Sequence, residues 1–319
     1  MTLSVQDAEA FADEVLFPSA NEIDAMDVVP RERLDLLAER GWYGLSAPSS
    51  GIDIVAGRPI VEAFAGGCLT TTLVWMQHLG QPPACAFGPE HLRPWLEPLA
   101  TGEIRSTVAY AGLRPDAPLR ARQGDDGWVL DGVAPWVSGW GLTTMIHIAA
   151  RTPEDDVVWL LADAPLPGMR AERHRLLALD ASATVALHFD GVRVAADRLT
   201  SRFPWSEWPE RDAMGLRTNG SLALGLAGRC LRLLGPSALD DELVAVRAEL
   251  DAGDASTFPA GRAAACELAV RAATSLLVAE GSRSVGRGTH AERLYREAGM
   301  LAVFGSRPSI RRALLAALG

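Results

Sequence analysis

The sequence contains no lysine, and all 30 of its basic residues are arginine. A catalytic Schiff base and the phosphate-binding loop of nucleotide hydrolases both depend on a lysine amine. The lack of lysine therefore excludes two classes of enzyme. Cysteine is scarce as well, and the four cysteines form no metal-ligand spacing, so we expect reduced, mostly buried thiols and no metal site.

Long apolar runs and an excess of positive charge are also missing. No stretch of about 18 apolar residues occurs, so the sequence predicts no membrane span. A net charge of −10 argues against nucleic acid as the main partner. The N-terminus, MTLSVQDAEAFADEVL, is acidic and amphipathic, unlike a signal peptide. We expect a cytoplasmic protein that binds neither nucleic acid nor membranes.

The hydrophobic period changes twice along the chain. Residues 1–104 and 205–319 carry apolar residues at helical spacing, whereas residues 105–204 alternate with a period of two between Gly, Pro and Asp. This order predicts an α+β protein of several domains: an N-terminal helical domain, a central antiparallel β-barrel and a C-terminal helical bundle. The apolar helix predicted at Leu216–Leu234 is typical of a bundle core or a subunit interface.

The segment Gly127–Gly141 (GWVLDGVAPWVSGWG) is the most informative part of the chain. It predicts two strands joined by a turn at Asp131–Gly132. Residues two apart in a strand share a face, so we expect the Trp136 indole and the Ser138 hydroxyl to lie side by side. Such a pair could form a wall for a flat heteroaromatic cofactor. The alternative is that Trp136 is an ordinary core residue.

Five segments carry a resemblance to a known family, in the same order as in that family. They are LDLLAERGWYGLSAP (Leu34–Pro48), EHLRPWLEPLATGE (Glu90–Glu103), GWVLDGVAPWVSG (Gly127–Gly139), LHFDGVRVAADRL (Leu187–Leu199) and AERLYREA (Ala291–Ala298). Together they resemble the acyl-CoA dehydrogenase family. The resemblance implies FAD as cofactor, an acyl-CoA or acyl-carrier thioester as substrate, and assembly as a homodimer or tetramer.

The resemblance also implies cofactor-binding residues. Trp136 and Ser138 match the residues that contact the flavin ring. The family's T-E-P-x-x-G-S-D motif is replaced by VAYAGLRPDAP at residues 108–118, where Tyr110 or Ala111 would meet the flavin only through its backbone. Arg283, in a glycine-containing stretch, matches the region that binds the FAD pyrophosphate. The alternative for Arg283 is a solvated basic loop.

The catalytic base is the main departure from the family pattern. The glutamate of the Y-E-G-T motif falls on Gly305, and the region of the central helix that supplies the base in some relatives, Met214–Gly225, has no carboxylate. Asp212, with Glu210 nearby, is a candidate replacement if that helix begins early. His78 is another, because histidine exchanges protons near neutral pH; a core or capping histidine is the alternative.

Two functions follow from this pattern. The first is an FAD-dependent oxidoreductase of acyl-CoA dehydrogenase type, which desaturates an acyl thioester and passes electrons to electron-transfer flavoprotein or another acceptor. It could act alone or in a hetero-oligomer with a homologue. The second is a non-catalytic partner subunit that completes or scaffolds a homologous dehydrogenase, in keeping with the missing motifs.

Overall fold

Helices occupy both ends of the chain and strands occupy its middle. The computed structural model describes residues 3–113 and 118–318. The predicted order of helices, strands and helices is confirmed. The α-helices are α1 (Val5–Phe11), α2 (Ala20–Asp24), α3 (Arg31–Glu39), α4 (Ile54–Gly67), α5 (Leu69–Met76), α6 (Gln81–Phe87), α7 (Leu96–Thr101), α8 (Trp208–Leu234), α9 (Leu239–Ala252), α10 (Phe258–Glu280), α11 (His290–Val303) and α12 (Pro308–Leu318).

The helix boundaries follow from local chemistry. Asp53 precedes α4, and its carboxylate accepts hydrogen bonds from the backbone N–H groups of Val55 and Ala56, both at 2.8 Å. A side-chain acceptor in this position stabilises the first turn of a helix. The helices α4 and α5 follow each other directly, and nearly all of α5 is buried. Apolar residues on every side of a short helix require such burial.

The strands form one mixed sheet in the order β6-β7-β3-β2-β4-β5-β8, and β1 pairs with β4. Their bounds are β1 (Ser106–Ala109), β2 (Arg120–Gly124), β3 (Gly127–Val137), β4 (Met145–Arg151), β5 (Asp156–Asp163), β6 (Met169–Arg173), β7 (Val185–Ala195) and β8 (Leu199–Pro204).

The prediction of a purely antiparallel arrangement is wrong at two pairs. β1 runs parallel to β4, with Ser106 opposite Met145, and β2 meets β4 in parallel at Arg120 and Arg151. A hairpin joins only antiparallel neighbours, and the β2–β3 hairpin lies between β1 and β4 along the chain. The intervening hairpin therefore acts as a crossover, and it permits the parallel pairing.

The predicted turn at Asp131–Gly132 is also wrong. Gly124 pairs with Gly127, so the chain reverses at Asp125–Asp126, and β3 continues without a break through residue 132. The register between β3 and β7 shifts between Leu130 and Gly132, where the glycine has a φ of 124°. The Asp131–Gly132 pair therefore marks a β-bulge. A glycine with positive φ suits a bulge as well as a turn.

The helices α4 and α8 cross at close range through glycine. A Cβ atom on Gly225 of α8 would collide with the carbonyl oxygen of Glu62 in α4, and one on Gly66 would lie 2.8 Å from the Gly225 carbonyl oxygen. The two backbones therefore touch where side chains are absent. This contact sets how closely α8 packs on α4, and the first turns of α8 carry part of the cavity described below.

The long helix α8 begins at Trp208, earlier than the predicted Leu216, and it packs on α4 and α10. The early start places Asp212 within the helix. In the described part of the chain, all four cysteines are free and buried, as predicted. Over the same residues, no helix combines the length and apolar character needed to cross a membrane, and no cluster suited to a metal ion is found.

Candidate active site

A cavity of 940 Å³ lies between the sheet and the helices. Its walls come from α4, α6, the strands β1, β4, β5 and β8, the first turns of α8 and the segment after α11. The volume is typical of a site for a small molecule or cofactor. The N-terminal helices, the sheet and the C-terminal helices all contribute to it, so its shape depends on the whole fold.

Aromatic rings cover the sheet side of this cavity. Tyr110 and Trp159 each lie beside Trp208, with ring centroids 6.3 and 6.4 Å apart. His147 packs against Trp159 with centroids 4.6 Å apart. Such spacings are those of favourable aromatic pairs. The rings are tilted by 45° to 56° relative to one another, and they form a largely apolar wall that suits an aromatic or acyl ligand.

A chain of hydrogen bonds fixes the state of His147. Its Nε2 lies 2.8 Å from the Thr200 hydroxyl, which donates to the Trp159 carbonyl oxygen at 3.1 Å. A carbonyl only accepts, so the Thr200 proton points to it and Nε2 must donate. Burial lowers the pKa of His147 to about 3. The imidazole is therefore neutral at physiological pH, and Nδ1 is left as an acceptor.

Gln81 supplies a second acceptor in the cavity wall. The side chain is completely buried, and its amide nitrogen donates to the Thr107 carbonyl oxygen at 3.0 Å. This contact fixes the orientation of the amide group, since only the nitrogen can donate. Its Oε1 has no hydrogen-bond partner within the described part of the chain. Such an atom favours a bound group that donates a hydrogen bond.

Asp212 and Arg307 form an ion pair in the cavity. The Arg307 Nε donates to Asp212 Oδ2 at 2.5 Å, and Nη2 contacts the other carboxylate oxygen. Burial lowers the pKa of Arg307, but the hydrogen bonds that Arg307 donates to Asp212 and the nearby Tyr110 outweigh it and raise that pKa above its usual value. A bidentate pair of this kind holds both groups ionised. Asp212 thus lies in the cavity as a carboxylate.

The position predicted for the usual glutamate lies beside this pair. Gly305 has a φ of 57°, and a Cβ built on it would lie 3.8 Å from both Asn219 Nδ2 and Arg307 Nη1. Asn219 belongs to the region of α8 where some relatives would carry the base. The two positions therefore meet in space, and neither provides a carboxylate. Phe304, next to Gly305, lines the cavity.

Trp136 and Ser138 do not share a surface, contrary to the prediction. Trp136 is 45% exposed and Ser138 only 7%. The register of β3 shifts between Ala134 and Val137, and the strand ends at Val137, so the alternation of faces does not extend to Ser138. The Trp136 indole packs on His174 with centroids 4.3 Å apart. Neither Trp136 nor Ser138 is among the residues that line the cavity.

The Ser138 hydroxyl is already engaged within the protein. It lies 2.8 Å from the Thr184 hydroxyl, and the Ser138 carbonyl accepts from Thr107. The sequence predicts instead that this hydroxyl faces a cofactor. In the structure it joins β3 to the segment before β7.

His78 also lies outside the cavity lining. It is fully buried, its Nε2 donates to the Leu99 carbonyl at 2.9 Å, and its Nδ1 accepts from the Ser106 N–H at 3.2 Å. Burial lowers its pKa to about 4. A neutral imidazole with both nitrogens engaged joins α7 to β1, which corresponds to the structural alternative for this residue.

The remaining candidates are divided between the cavity and the surface. Tyr110 lines the cavity with its ring beside Trp208, so its contribution is not limited to the backbone. Ala111 is buried in the short turn after β1. Arg283 is exposed in the turn after α10, away from the cavity, and Glu210 is exposed on α8. Residues 114–117, within the segment that replaces T-E-P-x-x-G-S-D, lie outside the described residues.

Sequence reasoning missed several cavity residues. The candidates named from the sequence did not include His147, Gln81 or Arg307, yet all three line the cavity. The signal for His147 was its place in the strand-like run Thr144–Ala150, where nearly all neighbours are apolar. A polar residue inside a buried strand requires a hydrogen-bond partner, which favours a functional or network role. No sequence pattern distinguishes Arg307 from an ordinary surface arginine.

Comparisons with known proteins agree with this architecture. Residues 3–103 match the family described as "Acyl-CoA dehydrogenase, N-terminal domain". Over 211 residues the chain is 26% identical to the mitochondrial short-chain specific acyl-CoA dehydrogenase of Bos taurus, a match that covers 61% of this chain and 51% of that protein. The chain thus spans about half the length of this curated relative.

Two solved structures have the same fold. Butyryl-CoA dehydrogenase from Megasphaera elsdenii superposes with a TM-score of 0.81 at 16% identity, covering 98% of this chain and 96% of that one. A glutaryl-CoA dehydrogenase from Mycobacterium smegmatis, in complex with FADH2, gives 0.79 at 19% identity, with coverage of 98% and 93%. At these identities the likeness shows the fold alone.

Helices around a central mixed sheet, with a cavity between the sheet and α8, define an acyl-CoA dehydrogenase-like fold. The matched N-terminal segment, the curated relative and the structural neighbours agree on one assignment. The chain has the fold of the acyl-CoA dehydrogenases, and its residues 3–103 match the N-terminal domain of that family.

Proposed function

We propose that this protein is an FAD-dependent oxidoreductase that desaturates an acyl thioester. The observation that carries the proposal is the 940 Å³ cavity, which has an aromatic wall on the sheet side and an ionised carboxylate on the helix side. α,β-Desaturation requires an apolar site for the acyl chain, a hydride acceptor and a base in a site shielded from water. The cavity offers an apolar lining and a candidate base.

The cavity residues fit a flavin ring in size and chemistry. The ring is flat and has an N–H donor on one edge, and the cavity presents aromatic faces and the unpartnered acceptor Oε1 of Gln81. When bound, flavin would supply the hydride acceptor for desaturation. Tyr110, Trp159 and Gln81 are the residues we propose to hold it. Trp136 and Ser138 are a weaker choice, because His174 and Thr184 engage them.

Asp212 is the residue we propose as the base. It lies on the face of α8 that lines the cavity, and its ion pair with Arg307 orients it. The other cavity carboxylate, Asp53, caps α4 and is held by two backbone N–H groups. Proton uptake by Asp212 would require its partial release from Arg307. Arg307 therefore acts as a positioning residue in this scheme.

The experiment is anaerobic titration of the FAD-loaded protein with acyl-CoAs of increasing chain length. Bleaching of the flavin band by a saturated acyl-CoA supports the proposal, and no bleaching by any chain length contradicts it. Asp212→Asn should lower the rate of reduction about 100-fold or more, the usual share of a positioned base. Asp53→Asn is the matched control, because asparagine also caps a helix, and its rate should change little.

The partners proposed with this activity are an electron-transfer flavoprotein or another acceptor, and further copies of this chain or of a homologue. Reoxidation of the reduced protein by a purified electron-transfer flavoprotein would test the first. Native mass measurement would test the second.

A non-catalytic partner subunit is the second candidate, and one observation favours it. Gly305, the predicted position of the usual glutamate, adjoins Asn219 of the region Met214–Gly225, and neither residue supplies a carboxylate. On this scheme the chain would complete or scaffold a homologous dehydrogenase. A stable complex with such a homologue, active only when both chains are present, would support it. Flavin reduction by an acyl-CoA with this chain alone would exclude it.

A further inference from the structure

The neutral acceptor of His147 has no role in the proposed dehydrogenation. The residue lies on β4 directly opposite Val108 of β1, and both side chains line the cavity. Only 7% of His147 is exposed. The hydrogen-bond chain through Thr200 to the Trp159 carbonyl directs the ring proton away from Nδ1. Within the described residues, Nδ1 makes no hydrogen bond of its own.

A second unpartnered acceptor lies close by. Gln81 donates to the carbonyl of Thr107, and Thr107 is the neighbour of Val108 in β1. Its Oε1, which we assign above to the flavin N–H, and the His147 Nδ1 therefore belong to one part of the cavity, and Nδ1 is the acceptor left for the substrate. The surrounding side chains are largely aromatic and aliphatic, among them Val108, Trp159 and Phe203. Acceptors without partners in an apolar wall favour a ligand that brings donors.

A charged ligand group does not complement this part of the cavity. Because His147 stays neutral, it neither attracts a carboxylate nor repels a cation. The lone pair on its Nδ1 is satisfied only by a hydrogen-bond donor. A plain hydrocarbon chain placed against Nδ1 would leave the acceptor buried and unpaired. Sites built to bind a hydroxyl reject analogues that lack it strongly, because their own polar groups are then left unsatisfied.

We propose that His147 is a specificity-determining residue that selects an acyl group carrying a hydroxyl. The Thr200–Trp159 relay sets its tautomer, and Nδ1 accepts the hydrogen bond of the substrate hydroxyl. This inference rests on the proposed thioester substrate and adds the class of acyl group. An amide N–H of the pantetheine arm has the same donor chemistry, and the test separates the two sources.

Binding rather than turnover is the suitable measurement, because it needs no flavin reduction. Calorimetric dissociation constants would be measured for saturated acyl-CoAs from butanoyl to decanoyl and for the same chains with one hydroxyl at each carbon in turn. At one hydroxyl position the hydroxylated member should bind at least about tenfold more tightly, the value of one well-placed hydrogen bond. His147→Phe, which keeps an aromatic ring, should abolish the difference.

A second histidine provides the control for this experiment. His188→Phe, a histidine of β7 outside the cavity lining, should leave the tenfold preference unchanged. Equal binding of all pairs, or a preference that survives in His147→Phe, would overturn the inference and leave the proposed function intact. Failure of every thioester to bind would overturn both. A His147-dependent affinity for pantetheine alone would also overturn it, by assigning the acceptor to the carrier.

The tautomer provides a test without any ligand. Nitrogen-15 NMR of the histidine rings should find His147 protonated on Nε2 alone in the native protein. Thr200→Val removes the acceptor for that proton and should shift the tautomer populations, while the fold is monitored by the other histidine signals. Protonation on Nδ1 in the native protein would overturn the inference, because the cavity acceptor would then be absent.

Discussion

At Gly305, backbone conformation and side-chain identity act together. Its φ of 57° is in the left-handed region, where any side chain is strained. The residue nevertheless adjoins Asn219 and Arg307 beside the cavity. A glutamate here would therefore reach the region where the family's base would act, at a conformational cost. The sequence indicates that position 305 lacks the family's carboxylate. The structure adds that the backbone at this position favours glycine.

We expect Gly305→Glu to raise the rate of flavin reduction by acyl-CoA, since it restores a carboxylate near Asn219. The same change should lower the free energy of unfolding by about 1–2 kcal/mol, because a side chain is added at positive φ. Stopped-flow reduction and urea denaturation measure the two effects. Ser306→Glu is the control and should not raise the rate. Unchanged reduction in Gly305→Glu would contradict the assignment of this position to the base.

Among the elements, the helices were the easier to predict. Their apolar period predicts helices at both ends of the chain and the helix Leu216–Leu234, although α8 begins eight residues before the predicted Leu216. Pro209 in its first turn is compatible with a helix start, and the polar stretch around it masked the period. The strands β2, β6 and β8 are harder to predict, because exposed residues interrupt their alternation.

The candidate site was less predictable than the fold, for a physical reason. Tyr110 and Asp212 line the cavity, whereas Trp136 and Ser138 lie elsewhere. Local patterns predict which face of an element is apolar, but a bulge reverses the faces of a strand. The bulged register at Ala134–Val137 had that effect on the most distinctive segment. The contacts of Arg307 and Gln81 depend on residues distant in sequence.

The crossing of α4 and α8 provides a test at the level of elements. Gly225→Ala places a methyl group against the Glu62 carbonyl oxygen, so the helices must separate. We expect a loss of about 1–3 kcal/mol in the free energy of unfolding, the usual cost of overpacking. Gly228→Ala, one turn further along, has only the Leu243 side chain at 3.6 Å and should be neutral or stabilise by up to about 1 kcal/mol.

Urea denaturation of both variants would measure the difference. Equal stability of Gly225→Ala and Gly228→Ala would mean that the two helices do not approach as closely as described. If α8 moves in Gly225→Ala, Asp212 moves with it, and we expect the rate of flavin reduction to change.

For the molecule as a whole, buried neutral histidines link stability to pH. His78 joins α7 to β1, and His147 lies within the sheet, with pKa values lowered by burial to about 4 and about 3. Both imidazoles therefore resist protonation in the folded state, while in the unfolded chain they take up a proton near pH 6.5. Between these values the unfolded state binds more protons, so stability must rise with pH.

The contribution of each histidine is complete above about pH 6.5 and is lost as the pH falls toward the folded-state pKa. For His78 the loss between pH 6.5 and 4 amounts to about 3 kcal/mol. We expect urea unfolding of the native protein to give a steep decrease in stability over this range. His78→Gln should reduce the slope by that share, whatever its effect at pH 7, because the titrating group is gone.

His91→Gln is the matched control, since His91 is exposed, and its slope should equal that of the native protein. The slope is the informative quantity, because His78→Gln will also disturb the contacts with Leu99 and Ser106 and so lower stability at every pH. An unaltered slope in His78→Gln would mean that this imidazole takes up its proton equally in both states. The junction between the N-terminal helices and the sheet would then be open to water, and the cavity beside it would be wetter than a dehydrogenase site requires.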